Sequence, residues 1–100
     1  MPSYRLSRSA EHDIADIARY TVEAFGVEQA LHYRDGLIHT FRFLAEFPRA
    51  ARERTEIDPP VRAHLYKSHI TIYVIDADGV LILRVRHASE DWISDPIAEL

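Results

Sequence analysis

The clearest hydrophobic pattern in the chain is a pair of apolar runs near the C-terminal end, residues 70–75 and 80–85. Both runs are rich in β-branched and aromatic residues, which favour pleated, half-buried strands. The four residues between them read DADG, a turn sequence in which Gly79 can adopt a positive φ at little steric cost. The pattern therefore predicts an antiparallel β-hairpin.

Side-chain alternation also predicts the register of this hairpin. If Ile75 lies opposite Val80, six apolar side chains share one face, which we expect the rest of the chain to cover: Ile70, Ile72, Val74, Leu81, Leu83 and Val85. The other face then carries His69, Thr71, Tyr73, Ile82, Arg84 and Arg86. A shift of one residue would bury two arginines, so this register is favoured.

A third strand is expected at residues 62–66, because this segment can fold back on the first strand of the hairpin. It adds Ala63 and Leu65 to the apolar face. The opposite face becomes cationic and aromatic, and we expect its arginines to be exposed. That face gains Arg62, His64 and Tyr66.

Apolar residues upstream recur at the spacing of two amphipathic helices, over about 10–25 and about 28–47. A serine just before the first helix, Ser7 or Ser9, is the expected N-cap. Gly26 ends the first helix, and a proline stops the second. Because the connection at Gly26 is so short, the two helices should form an antiparallel hairpin.

The predicted element order is β-α-α-β-β-β, with an edge strand at residues 4–6 and a charged, proline-bounded loop over 49–60. An N-terminal helical hairpin packed on one face of an antiparallel sheet is a two-layer α+β architecture. We expect residues 1–100 to form a single domain of this kind. Gly36 falls in the middle of the second helix, where close approach of the first helix would explain it.

Composition excludes several classes of function. The chain has 100 residues, 47% of them hydrophobic and 28% charged, which is typical of a globular domain. It has no cysteine, so disulfides and thiolate chemistry are excluded. The net charge of −4 argues against coating nucleic acid through bulk charge. Neither a bilayer-spanning run nor the apolar core of a signal peptide is visible, so we expect a cytoplasmic protein.

Three segments together resemble the ParE/RelE superfamily of toxins: ARYTVEAFGVEQALHYRDGL, PPVRAH and HITIYVIDADGVLILRVRHASEDW. The resemblance is closest to the ParE branch. There a strand ending in tyrosine precedes a turn, an I-L-R-V strand, a histidine, and an aspartate with an aromatic residue. In this chain those features are Tyr73, residues 82–85, His87, Asp91 and Trp92.

The resemblance implies a RelE/ParE-like fold and a toxin of a type II toxin–antitoxin system. A ParE-like toxin is expected to inhibit DNA gyrase by binding, without its own catalysis and without a cofactor. A ParD-like antitoxin would neutralise it, and direct binding of nucleic acid by the chain alone is not expected.

RelE-like relatives instead cleave mRNA on the ribosome, and the alternative of such an endonuclease has to be weighed. They carry an arginine three residues before the strand tyrosine, a basic residue past the last strand, and a tyrosine soon after. Ile70, Ala88 and Trp92 occupy those places here, and none can move a proton or stabilise developing charge. Arg62 and His64 match basic positions of the nucleases but lack these companions.

Two alternatives to the gyrase inhibitor stay open at this point. One is a ribonuclease with a displaced active site made of Arg62, His64, Arg84 and Arg86. The other is an inactive chain that survives as an antitoxin-binding module. The sequence alone does not separate the latter from an active toxin.

The candidate site residues fall into two sets. Candidates for target binding lie on the predicted cationic face and just after it, although a solvated face and a structural lid formed by the tryptophan would explain the same residues: Arg62, His64, Tyr73, Arg84, Arg86 and Trp92. Candidates for antitoxin binding are aromatic residues of the helical hairpin: Tyr20, Phe25, Tyr33, Phe43 and Phe47. No metal site is expected, because no carboxylate or cysteine shares a face with His64 and His69.

Overall fold

The computed structural model describes residues 3–97 as two helices and a five-stranded sheet. The elements are β1 (Tyr4–Leu6), α1 (Arg8–Phe25), α2 (Val27–Glu46), β2 (Glu53–Arg54), β3 (Val61–Tyr66), β4 (His69–Asp76) and β5 (Gly79–His87). The strands lie in the order β1-β5-β4-β3-β2. The predicted two-layer α+β fold with an N-terminal helical hairpin is therefore confirmed.

The helical hairpin forms for the local reasons that the sequence indicates. Ser7 is the N-cap of α1, and its hydroxyl accepts a hydrogen bond from the backbone N–H of Ala10 at 3.0 Å. Gly26 adopts φ 91°, which ends α1 and lets α2 begin at the next residue. The two helices are therefore joined by a single non-helical residue.

The sheet is mixed, whereas the sequence predicted an antiparallel one. β1 runs parallel to β5, and the other three strand pairs are antiparallel. Because β1 is connected to the rest of the sheet only through the helical hairpin, no tight turn fixes its direction. The predicted loop over 49–60 also contains the two-residue strand β2, which pairs with the start of β3.

The register of the β4–β5 hairpin is as predicted beside the turn and wrong beyond it. Ile75 lies opposite Val80 and Val74 opposite Leu81, but Ile72 lies opposite Arg84. One extra residue in β5, Leu83, has no partner on β4 and forms a β-bulge. Every later pair is consequently shifted by one residue, and His69 comes to lie opposite His87.

The helices cover a different face of the sheet from the one predicted. Tyr73, Val80 and Ile82 form the buried core with Leu37 and Phe41 of α2. Val85 joins this core as predicted, because the bulge changes the alternation along β5.

Most of the predicted helix-facing residues belong to a second cluster on the opposite face of the sheet, while Leu65 is exposed. There Ile72 is fully buried beneath Ile57 of the connecting segment and Trp92 of the C-terminal segment. The partly buried members of this cluster are Ala63, Ile70, Val74, Leu83 and Ile97. The central strands are apolar on both faces, so alternation alone did not identify the face that the helices cover.

The need for a glycine at position 36 comes from a side chain of β3 and not from close approach of α1. A Cβ atom built at Gly36 would overlap the phenol ring of Tyr66. The glycine therefore lets a large aromatic side chain of the sheet lie against the backbone of α2, and the predicted close approach of α1 is wrong.

Candidate functional site

Arg84 is buried, with 5% of its surface exposed, so its predicted exposure is wrong. Its Nε and Nη2 atoms donate to the two carboxylate oxygens of Asp13 on α1, at 2.7 and 2.9 Å. The same carboxylate accepts the backbone N–H of Val85 at 2.9 Å. Val85 lies past the residues of β5 that pair with β1, so no strand within residues 3–97 covers this edge of β5 there. The hydrogen bonds that Arg84 donates to Asp13 raise the pKa of the Arg84 guanidinium. This bidentate pair joins α1 to β5.

Arg86 and Arg62, which were also expected on the cationic face, form hydrogen bonds within the chain. Arg86 donates from Nε to Glu90 at 3.0 Å and from Nη1 to the carbonyl of Asp95 at 2.9 Å. Arg62 donates to the carbonyl of Ala51 at 2.7 Å. The continuous, solvated arginine surface that the sequence predicted is therefore not formed.

Tyr73 and Trp92, also candidates for target binding, are both buried. Tyr73 is fully buried in the helix-facing core, and its hydroxyl donates to the carbonyl of Pro48 at 2.8 Å, so its predicted place on the polar face is wrong. Trp92 is 6% exposed in the second cluster, and the guanidinium of Arg54 lies 5.2 Å from its ring centroid. This position is the structural lid that the sequence offered as an alternative to an exposed binding residue.

His64 is the remaining candidate of that set and is half-buried, with its ring 5.7 Å from the ring of Phe43. Together, the positions of these six residues favour structural roles for most of them. Their assignment to target binding stays a prediction.

The helical hairpin does expose the aromatic surface that the sequence predicted. Tyr20 and Phe25 are 66% and 67% exposed, and Phe47 is 52% exposed. Phe43 is also exposed and packs its ring 5.4 Å from that of Phe47, beside a small open pocket. Tyr33 is half-buried. Aromatic groups that are left outside a core are typical of protein-binding surfaces.

Three of these aromatic residues line one groove, with a volume of about 740 Å³. We call it the hairpin groove. Its apolar part is built by α1 and the first turns of α2 and includes Ile17, Tyr20, Phe25 and Tyr33. Its polar end comes from the β3–β4 turn and the ends of β4 and β5 and includes Lys67, Ser68, His69 and His87. A groove with apolar walls and a few convergent polar groups is suited to binding a partner.

A short chain of hydrogen-bonded and stacked rings connects the two parts of the hairpin groove. The hydroxyl of Tyr33 lies 2.6 Å from Nδ1 of His69, and the ring of His69 meets that of His87 edge-on at 5.3 Å. Burial raises the pKa of Tyr33. Burial, and secondarily the charge of His87, lowers the pKa of His69. Burial therefore favours the neutral form of both side chains.

Among residues 3–97, no three histidine, cysteine, aspartate or glutamate side chains lie close enough to hold a metal ion. Neither helix of this part of the chain is both long and apolar enough to cross a membrane.

Sequence reasoning missed the buried pair and the polar end of the groove. A signal for the pair was present, because Asp13 lies at helical spacing from Ala10 and Ile17 on the inward stripe of α1. A carboxylate in an apolar stripe indicates a buried partner. No comparable signal placed His87 beside His69, since only the bulge in β5 makes them neighbours.

The fold is shared with a solved toxin–antitoxin structure. The match is to a chain of a structure described as the chromosomal ParDE TA system from P. aeruginosa, with a TM-score of 0.75 and 21% identity. It covers 87% of this chain and 96% of that one. The fold is therefore that of a two-layer domain found in ParDE systems.

Sequence relatives identify the family. A sequence model described as "ParE toxin of type II toxin-antitoxin system, parDE" matches residues 4–92. Toxin ParE1 of Caulobacter vibrioides is 36% identical over 89 residues, which cover 89% of this chain and 92% of the relative. Toxin ParE1 of Mycobacterium tuberculosis is 33% identical, with 88% and 91% covered. The chain belongs to the ParE toxin family of type II toxin–antitoxin systems.

Proposed function

We propose that this chain acts in the cytoplasm as a toxin that inhibits DNA gyrase by binding, and that a ParD-like antitoxin neutralises it. The observation that carries the proposal is the match to the ParE family over residues 4–92, reinforced by relatives named ParE1 that align along most of the chain. The fold shared with a chain of a ParDE structure is consistent with it.

Action by binding is supported by the side chains that an endonuclease would need. Ile70, Ala88 and Trp92 stand where RelE-like nucleases carry groups for charge and proton transfer. The alternative of a displaced active site loses Arg84, which is buried against Asp13. Proton-transfer chemistry requires groups that reach the substrate, so this arrangement favours a toxin without catalysis.

The proposed antitoxin surface has two parts, one on the helices and one on the sheet. The helical part is the exposed aromatic surface, including Tyr20 and Phe25, which suits an amphipathic antitoxin helix. On the sheet, β2 pairs only with the first two residues of β3, so residues 63–66 keep one unpaired edge within the described part of the chain. An extended antitoxin segment could add a strand there, beside the exposed Leu65.

Induction of the chain in bacteria, with and without its ParD-like antitoxin, tests this function. We expect growth arrest with a DNA-damage response and intact mRNA, and relief of both the arrest and the DNA-damage response by the antitoxin. Rapid mRNA cleavage would instead establish the RelE-like activity. Growth without any arrest would identify an inactive antitoxin-binding module.

A further inference from the structure

The polar end of the hairpin groove carries an uncompensated positive charge. Lys67, the only lysine in the sequence, occupies the β3–β4 turn with φ 50° and lines the groove. Its ammonium lies 5.7 Å from the centroid of the Tyr66 ring, and among residues 3–97 it forms no ion pair. An acidic side chain brought to this position would therefore meet a charge that is not yet neutralised.

Both histidines at this end present an N–H group. The backbone N–H of Ser89 donates to Nδ1 of His87 at 3.1 Å, so the neutral ring of His87 carries its proton on Nε2. The hydroxyl of Tyr33 lies 2.6 Å from Nδ1 of His69, and in the tautomer in which Tyr33 donates, Nε2 of His69 carries the N–H. Neither Nε2 has a hydrogen-bond partner within residues 3–97.

We propose that this end of the hairpin groove binds a carboxylate of the ParD-like antitoxin, while apolar antitoxin side chains pack on Ile17, Tyr20 and Phe25. The carboxylate belongs to an aspartate or glutamate and accepts from Lys67 and from Nε2 of His69 and His87. This inference rests on the proposed function, since it names the chemistry by which that partner is recognised.

The set of side chains favours a carboxylate over a metal ion as the ligand. The ammonium of Lys67 has no unshared pair to give a metal, and within residues 3–97 no three metal-ligating side chains come together. Three donors around one end of a groove suit an acceptor with two oxygens.

The acidic groups near this end are mostly already paired. Asp16 lines the groove but lies 3.2 Å from Arg19. Glu90 is bound by Arg86, and Asp13 by Arg84. An incoming carboxylate is therefore attracted by the unpaired ammonium of Lys67. Its repulsion by the neighbouring acids is reduced, because each of them is paired with an arginine.

Binding should consequently tighten as the pH falls. In the free chain, burial and His87 hold the pKa of His69 below its ordinary value. The titratable groups around it are Tyr33 from α2, Lys67 from the turn, His87 at the end of β5 and Glu90 in the segment after it. From α1, Asp13 and Asp16 also face this end of the groove. A bound carboxylate favours the imidazolium, so it raises the pKa of His69. The affinity for the antitoxin therefore increases as the pH falls from the pKa of His69 in the complex to its lower pKa in the free chain.

The single lysine allows the contact to be mapped directly. A carbodiimide joins an amine to a carboxylate that is in contact with it, and mass spectrometry of the toxin–antitoxin complex locates the bond. We expect a cross-link between Lys67 and an aspartate or glutamate of the antitoxin. Lys67→Arg preserves the charge but removes the reactive amine, so this variant should lose that cross-link, which identifies Lys67 as its origin. A wild-type complex without any cross-link at Lys67 would overturn the proposal.

The pH profile of antitoxin binding provides the second readout. Between pH 8.0 and 5.5 the wild-type affinity should increase by about threefold to tenfold, as expected for partly exposed charged pairs. His69→Gln should flatten this profile, while the exposed control His39→Gln should keep it. If the antitoxin binds with the same profile in all three proteins, the carboxylate site is wrong and the proposed function stands. If the antitoxin does not bind at any pH, the proposed function and this inference both fail.

Discussion

Arg84 shows how a single side chain can be misjudged when the local strand geometry is unknown. The sequence placed it on a solvated face, but the bulge at Leu83 shifts the pairing, and the guanidinium meets Asp13 of α1. Both side chains are less than a tenth exposed. A buried pair of this kind contributes little net stability compared with apolar residues, yet it is costly to break on one side only.

Replacement of Arg84 tests this account. Arg84→Met should destabilise the fold by about 3–5 kcal/mol, because it leaves the Asp13 carboxylate buried with only the N–H of Val85. Chemical denaturation measures the change. Arg19→Met, which removes an exposed surface pair, is the matched control and should alter stability by less than about 0.5 kcal/mol. Equal stability of the two variants would mean that the buried pair is absent.

His69 makes a prediction about the stability of the free chain. Its pKa is lowered in the folded state by burial, so near pH 6 the unfolded chain binds the proton more readily. Stability should therefore be full above the ordinary histidine pKa of about 6.5 and should fall as the pH drops below it. Urea unfolding at pH 7.5 and 5.5 measures this loss. His69→Gln should reduce the difference between the two pH values, and an unchanged difference would remove His69 as its cause.

Among the elements, the C-terminal segment after β5 has an unexpected structural role. It closes the sheet face opposite the helices, with Trp92 packed on Ile72 in the second cluster. Arg86 holds the segment through Glu90 and the carbonyl of Asp95. The sheet is thus covered on one side by two helices and on the other by an irregular segment.

Truncation of Trp92 tests the importance of this cover. Trp92→Ala should cost about 3–5 kcal/mol, the usual range for a buried tryptophan. Ile93→Ala is the control, because Ile93 is 51% exposed and its neighbouring position leaves the second cluster intact. The chain has one tryptophan, so its emission should be blue-shifted in the folded protein and shift to the red on unfolding. A water-exposed emission spectrum in the native state would contradict the buried position.

Local signals predicted the elements well and the relations between them less well. The caps at Ser7 and Gly26 are set by nearby backbone, and they fixed the helical hairpin. The bulge at Leu83 and the parallel pairing of β1 depend on contacts between segments far apart in the chain. A sheet that is apolar on both faces removes the alternation that would otherwise reveal which face the helices cover.

The candidate binding surfaces show the same difference: features set by local sequence were predictable, and features that depend on contacts between distant segments were not. Exposure of Tyr20 and Phe25 was predictable, because two helices on one sheet cannot bury aromatic residues all round. The predicted arginine surface failed because burial of Arg84 and pairing of Arg86 depend on tertiary contacts. The polar end of the hairpin groove, with His87 beside His69, needed the shifted register.

At the scale of the whole molecule, the central strands of this toxin are covered on both faces, and its exposed aromatic surface lies on the helical hairpin. The side chains that make contacts within the chain are largely different from those that are exposed and can contact a partner. This separation is consistent with a protein that acts by binding and is neutralised by another protein.

The measurement that tests the central claim most directly is supercoiling of relaxed plasmid DNA by purified gyrase in the presence of the purified chain. We predict inhibition that depends on the concentration of the chain and is relieved by prior addition of the ParD-like antitoxin. Full gyrase activity with the folded chain, accompanied by cleavage of mRNA on purified ribosomes, would contradict the account.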